Sequence, residues 1–253
     1  MKSTWIPVVC WLAALVVSMS AMADGGGGDT SLEAACPAFA AWEQAHHKPP
    51  EKAHVADTAT PTDPILRKRL LAMFKADQDA RNAWIAAGLA MDGPLAKRMQ
   101  QVDADHLVQL RKMLAAHGFP TPAMVGKDGV QAAFILVQHA TRDPALQASV
   151  LPQLAKLRAA GDVSGQDFAL LTDRVLREQG KPQRYGTQFI SDKRTHGVMM
   201  LQPTEDLAHV DARRAEVGLP PLAAYVCILS ASYHKPVSMQ VVKDAPAALP
   251  HKS

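Results

Sequence analysis

His139 ends a run, Val130 to Ala140, that is apolar on nearly every face of a helix, so the sequence places an imidazole inside a core. Gln138 stands beside it, and a buried polar side chain needs a partner. An imidazole titrates near neutrality and can pass a proton to or from a bound molecule. His106 poses the same question within the stripe Leu95, Met99, Val102, Leu110 and Met113. Asp77 and Arg81 interrupt a third stripe, Leu66, Leu70, Met73 and Trp84, at the i and i+4 spacing that lets them pair.

Further on, Gln183-Arg184-Tyr185-Gly186-Thr187-Gln188 is dense in hydrogen-bonding groups and short of apolar cover. Its glycine allows a close backbone approach to a ligand or to another element. These residues give one reading: a polar pocket with His139 and His106 as acid/base groups. Gln138, Tyr185, Thr187 and Gln188 are its substrate contacts, and Asp77, Arg81, Asp173 and Arg174 its supporting shell. The competing reading is a buried hydrogen-bond network that fixes helix register, with the Tyr185 segment as a packed turn. Asp173 and Arg174 also have Arg177 and Glu178 four residues on, so surface ion pairs account for them equally.

No nucleophile stands out, and there is no GxSxG elbow, phosphate loop or GxGxxG after a strand. Water-mediated hydrolysis of a small polar or peptidic substrate is the enzymatic expectation. A non-catalytic ligand- or protein-binding module is the alternative. His106, His139 and Asp77 are possible metal donors, but without an HxxxH or HExxH pair neither metal nor cofactor is expected.

Residues 1–23 read as a secretory signal. Lys2 supplies the basic start, Trp5 to Val17 the apolar stretch, and Ala21-Met22-Ala23 the cleavage site before Asp24. The apolar stretch is short of the roughly 20 residues that span a bilayer, so no stable span is expected after cleavage. A periplasmic or secreted protein follows. Cleavage removes Cys10 and leaves Cys36 and Cys227 in an oxidising compartment, where a disulfide between them is expected; two separate thiols are the alternative. Net charge of +3, less Lys2, becomes +2, too small to point to nucleic acid.

The elements that must position these groups are mostly helical. Asp63-Pro64 and Asp143-Pro144 each read as an N-cap followed by an N1 proline. Asp92 to His117 reads as another helix, residues 121–129 as a loop, Ser164 to Gln179 as a helix, and Thr204 to Val217 as a capped helix. Tyr185 to Ile190 and Gly197 to Leu201 read as one hairpin. The expectation is a mainly α fold, a single helical domain over residues 63–232 with one small β-hairpin. Residues 24–62 are a flexible leader with a short helix over Ser31 to His47 and a Pro-rich linker, and 233–253 a loose tail. Oligomeric state is not legible.

Several blocks occur in a recognisable order: His117-Gly118-Phe119-Pro120-Thr121, Gln138-His139-Ala140, Asp143 with Gln147, Leu171-Thr172-Asp173-Arg174-Val175, and Gly180 to Gln188. Val210-Asp211-Ala212-Arg213-Arg214 and Val217-Gly218-Leu219 follow. In these blocks the chain resembles the bacterial domain of unknown function 6624 family across roughly Leu66 to Tyr225. The resemblance implies domain limits and a choice of residues, and no activity. Phe119 departs from the tryptophan more often expected there.

Overall fold

The computed structural model describes residues 30–46, 60–88, 92–191 and 195–242. The segment expected to be a secretory signal, most of the expected Pro-rich linker and the end of the C-terminal tail lie outside the described residues. The chain is mainly α-helical. It divides into two compact units where the sequence reading expects one domain: residues 52–164, and residues 1–51 with 165–253.

The first unit holds α3 (Pro64–Ala86), α4 (Pro94–His117), α5 (Pro122–His139) and α6 (Pro144–Ala159). The carboxylates of Asp63 and Asp143 cap α3 and α6 by accepting the Leu66 and Leu146 N–H groups, as the Asp-Pro pairs indicate. α4 starts later than expected, at Pro94, with Gly93 as an N-cap that offers no side-chain bond. The loop expected over residues 121–129 is helical from Pro122, because the proline seeds the first turn. Gly126, at φ 73°, then redirects the helix into its apolar run.

α3 packs mainly on α5 and then on α4. Its buried stripe is Leu66, Leu70, Met73, Asp77, Ala80, Arg81 and Trp84, so the two charges do face the interior. α4 buries Ala96, Met99, Asp103, His106, Leu107, Leu110 and Met113. α5 buries every residue from Ala132 to His139. A helix enclosed on all sides has no solvent face for its polar residues, which is why Gln138 and His139 are interior.

The second unit holds α1 (Thr30–Ala35), α2 (Pro37–His46), α7 (Gly165–Glu178), β1 (Phe189–Ile190), β2 (Met199–Leu201), α8 (Val210–Glu216), α9 (Leu222–Tyr233) and β3 (Val237–Val241). The single helix expected over Ser31 to His47 is split at Cys36, where Pro37 restarts it as α2. Cys36 is disulfide-bonded to Cys227 on α9, with Cα atoms 5.8 Å apart.

β1 and β2 pair antiparallel, Phe189 opposite Leu201, so the hairpin exists but is shorter than expected. Residues 185–188 are not strand; they form a bend held by side chains. The tail expected to be loose from residue 233 instead supplies β3, which pairs parallel with β2. Phe189, Met199, Leu201, Leu222, Tyr225, Leu229 and Tyr233 form the core under this sheet. Alternating residues of a short strand gain burial only against such a partner, which the sequence alone does not display. Thr204 caps no helix: it bridges to Gln183, and a 3-10 turn at Leu207–His209 leads into α8. Gly165 begins α7 in direct contact with the end of α8, where an added Cβ would meet the Val217 carbonyl oxygen at 1.8 Å.

Candidate functional site

The first unit gathers a charged cluster from three helices. Asp77 and Arg81 come from α3, Asp103 and His106 from α4, and His139 from the last turn of α5. Each is at least nine-tenths buried. His139 Nδ1 lies 2.9 Å from both oxygens of Asp77. Arg81 Nε is 3.2 and 3.3 Å from the same oxygens and 2.9 Å from His139 Nδ1. Its Nη2 reaches Asp103 Oδ1 at 2.6 Å.

Asp77 and Arg81 make opposite demands on His139 Nδ1, a proton toward the carboxylate and a lone pair toward Arg81 Nε. A carboxylate accepts and never donates, so the two 2.9 Å contacts to an ionised Asp77 favour the tautomer with the proton on His139 Nδ1. In that tautomer Arg81 Nε donates to Asp77 alone, at 3.2 and 3.3 Å, although it lies closer, at 2.9 Å, to the ring nitrogen. In the neutral ring the lone pair is on Nε2, the form needed to accept a proton. Asp77 therefore orients the imidazole and stabilises its charged form, while Arg81 orients Asp77.

The two carboxyls that Arg81 joins differ in acidity. Burial works to raise Asp77, but His139 and Arg81 outweigh it and hold the group at about 2. Burial dominates at Asp103 and, with the Asp77 charge, pushes it up to about 7 against the pull of Arg81 and Arg142. His106 is lowered, chiefly by burial, so its neutral form is favoured.

Several buried atoms here have no hydrogen-bond partner among the described residues: Asp103 Oδ2, His106 Nδ1, and both Gln138 amide atoms. Gln138 is entirely buried, and only its backbone is engaged, its carbonyl accepting from Gln147 Nε2 at 3.1 Å. No group of three His, Cys, Asp or Glu side chains among the described residues is arranged to hold a metal ion.

The second unit has its own polar centre. The Asp173 carboxylate, fully buried on α7, accepts the backbone N–H groups of Arg184 at 2.7 Å, Tyr185 at 3.0 Å and Thr187 at 2.9 Å, and the Thr187 hydroxyl at 2.9 Å. Burial raises its pKa while these donors oppose the rise. Arg214 donates from Nη1 to the Tyr185 carbonyl at 2.7 Å and from Nε to the Pro220 carbonyl at 2.6 Å. Gln183 holds the Gln188 peptide from both sides, accepting its N–H at 2.8 Å and donating to its carbonyl at 3.0 Å. Gly186 makes the turn at φ 69°, a conformation that favours glycine.

The sequence profile of a family of unknown function, DUF6624, matches residues 64–238, well over half of the chain and parts of both units. The chain belongs to the DUF6624 family. No curated protein and no solved structure matches it.

Within this DUF6624 chain the residues singled out by sequence fall into two groups. Asp77, Arg81, His106, Gln138 and His139 lie in the first unit, and Asp77, Arg81 and His139 are in direct contact. Asp173, Arg174, Tyr185, Thr187 and Gln188 lie in the second. There Thr187 and Gln188 are engaged internally, since Gln188 Nε2 donates to Thr187 Oγ1 at 2.9 Å and to the Leu170 carbonyl at 3.3 Å. The surface ion-pair alternative for Asp173 and Arg177 does not hold. Asp173 binds backbone, and Arg177, also buried, donates to Gln202 and to the Lys181 carbonyl.

Sequence reasoning missed Asp103 in the first unit and Gln183 and Arg214 in the second. Asp103 carried a signal: it stands three residues before His106 and four after Met99, both on the buried face. Gln183 stands in the polar run from Gln183 to Gln188 but was given no role of its own, and Arg214 carried no signal, since its partners are backbone carbonyls.

Proposed function

We propose that this DUF6624 protein is an exported, hydrolase-like enzyme in which His139 is the general acid/base for a small polar or peptidic substrate. The observation that carries the proposal is the 2.9 Å contact between His139 Nδ1 and Asp77. It favours the tautomer with the proton on Nδ1, in which the ring can take a proton from water at Nε2 and return it to a leaving group. Arg81 keeps Asp77 ionised, so the imidazolium formed in that step is matched by a negative charge. The absence of a nucleophile motif in the sequence makes water the attacking group.

Export is supported by the basic start, apolar stretch and Ala-Met-Ala site of residues 1–23, and by the Cys36–Cys227 bond, which suits an oxidising compartment. Among the described residues no helix is long and apolar enough to cross a membrane. The low net charge disfavours nucleic acid as a partner.

The test is turnover of a panel of dipeptides and simple amides by the mature protein and by His139→Gln, with circular dichroism as the check on folding. Glutamine fills similar space and cannot exchange a proton near neutrality. A folded variant at least about a hundredfold slower is the expected result, the lower end of what general acid/base catalysis contributes. Equal rates for the two proteins would remove the catalytic reading.

A second reading, a ligand-binding module without chemistry, is favoured by one observation. The amide of Gln138 is fully buried with neither end partnered among the described residues, and a bound polar ligand satisfies such a group with no reaction. Ligand-induced thermal shifts that His139→Gln leaves intact, with no turnover in either protein, would select it.

A further inference from the structure

We propose that Asp103 is a substrate-contacting residue of the first unit: its Oδ2 donates a hydrogen bond to the carbonyl oxygen of an uncharged amide, and His106 Nδ1 accepts the amide N–H. This rests on the reading of His139 as the acid/base and narrows its substrate class.

The geometry that points to it is on α4. Asp103 and His106 are three residues apart, so they share one helix face, and both are more than nine-tenths buried. Asp103 spends one oxygen on Arg81, at 2.6 Å, and the other has no partner among the described residues. His106 Nδ1 has none either. A buried polar atom without a partner is rare in folded proteins and asks for an occupant. Arg81 ties this face to Asp77, and through it to His139.

The chemistry of the pair selects the occupant. A protonated carboxyl donates to one acceptor, and in a buried site a carbonyl oxygen acquiring negative charge is the acceptor that gains most. Burial raises Asp103 to about 7, so the acid form is available at neutral pH. The charged groups around Asp103 and His106 are Asp77 and Arg81 on α3, Asp105 on α4, and Arg142. A neutral His106 carrying its proton on Nε2 accepts at Nδ1. A primary amide offers an acceptor oxygen and a donor N–H side by side, which matches this pair.

The reaction balances without a cofactor. Water bonds through oxygen to the carbonyl carbon while His139 takes one of its protons, and the C=O electron pair moves onto the oxygen held by Asp103. The C=O bond then re-forms, the C–N bond breaks, and the proton on His139 passes to the departing nitrogen. Amide and water become carboxylic acid and amine.

The experiment is infrared spectroscopy of the full chain at pH 6, with acetamide as the probe. The wild type is expected to show a protonated-carboxyl stretch that is missing from Asp103→Asn and shifts to lower frequency as acetamide saturates. His139→Gln should keep the band and its shift. His106→Asn, the second variant, should keep the band while weakening acetamide binding about tenfold, the loss of one hydrogen bond. No band assignable to Asp103, or a band that acetamide leaves in place, overturns the assignment. Turnover that disappears in His139→Gln but is unchanged in a folded Asp103→Asn also overturns it, leaving the acid/base reading intact. A band that shifts in a wild type with no amidase activity keeps the carbonyl contact and sinks the reading of His139.

Discussion

His139 Nδ1 stands equidistant, at 2.9 Å, from the two carboxylate oxygens of Asp77, although 62 residues separate them in sequence. α3 and α5 are packed against each other here, and the contact is among the polar links between them. Arg81, one turn along α3, closes the triangle by contacting both.

Replacement of Asp77 by Asn is expected to destabilise the first unit by about 3–5 kcal/mol, because it leaves Arg81 and Asp103 as a buried pair without their third member. The ring of His139 also loses the acceptor that favours its proton on Nδ1. Chemical denaturation at pH 7 measures the first effect, and the ¹⁵N shifts of the His139 ring report the second. An Asp77→Asn protein as stable as the wild type, with an unchanged ring tautomer, would falsify the network as drawn.

The pH dependence of stability follows from the two carboxyls with opposite shifts. Asp77 is lowered to about 2, so its contribution is present above 3.8 and fades as pH falls through 2. Asp103 is raised to about 7, so the folded state holds a proton that the unfolded chain has lost. Its contribution is complete below 3.8 and disappears as pH rises through 7. Between those values Asp103 alone lowers stability by roughly 1.4 kcal/mol per pH unit. His106, lowered from 6.5, acts in the opposite sense just below that pH. The readout is therefore the difference between wild type and Asp103→Asn, followed by urea denaturation from pH 4 to 8. A difference that does not vary with pH excludes the upward shift of Asp103.

Asp173→Ala is expected to loosen the 184–187 bend in the second unit. Three backbone N–H groups, two of them buried, and one buried hydroxyl lose their acceptor together. At about 1–3 kcal/mol for an unsatisfied group, the loss reaches several kcal/mol unless water enters. Asp173→Asn should recover only part, since a carboxamide offers one acceptor oxygen where the carboxylate offers two. Amide hydrogen exchange at Tyr185 and Thr187 checks this; protection as in the wild type would show that other bonds hold the bend.

The Cys36–Cys227 bond closes a sequence separation of 191 residues within the second unit. Long loops gain most from closure in the chain-entropy account, so the double Cys→Ser variant should be less stable by about 2–5 kcal/mol. The loss should fall on α1, α2 and α9 and spare the first unit. Thermal unfolding with and without reductant measures it, and an unchanged transition would rule the stabilisation out.

Much of this protein was legible in its sequence because the signals are local. Asp-Pro pairs cap α3 and α6, three apolar stripes mark the buried faces, and Asp77 and Arg81 share a side of α3 because a helix repeats every 3.6 residues. The cysteine pair could be named by elimination once the first was assigned to a signal. What the sequence did not hold were relations between distant segments. Asp103 stands beside Arg81 only because α4 packs on α3, and side-chain spacing along one helix carries no record of its neighbour. The segment from Tyr185 to Gln188 reads as a set of substrate contacts until Asp173, Gln183 and Arg214 are seen to hold its backbone. The β3 strand is apolar enough to pair only because β2 and α9 offer it an edge and a floor. Periodicity and capping are properties of a segment; register, partnership and burial of a charge are properties of the packed chain.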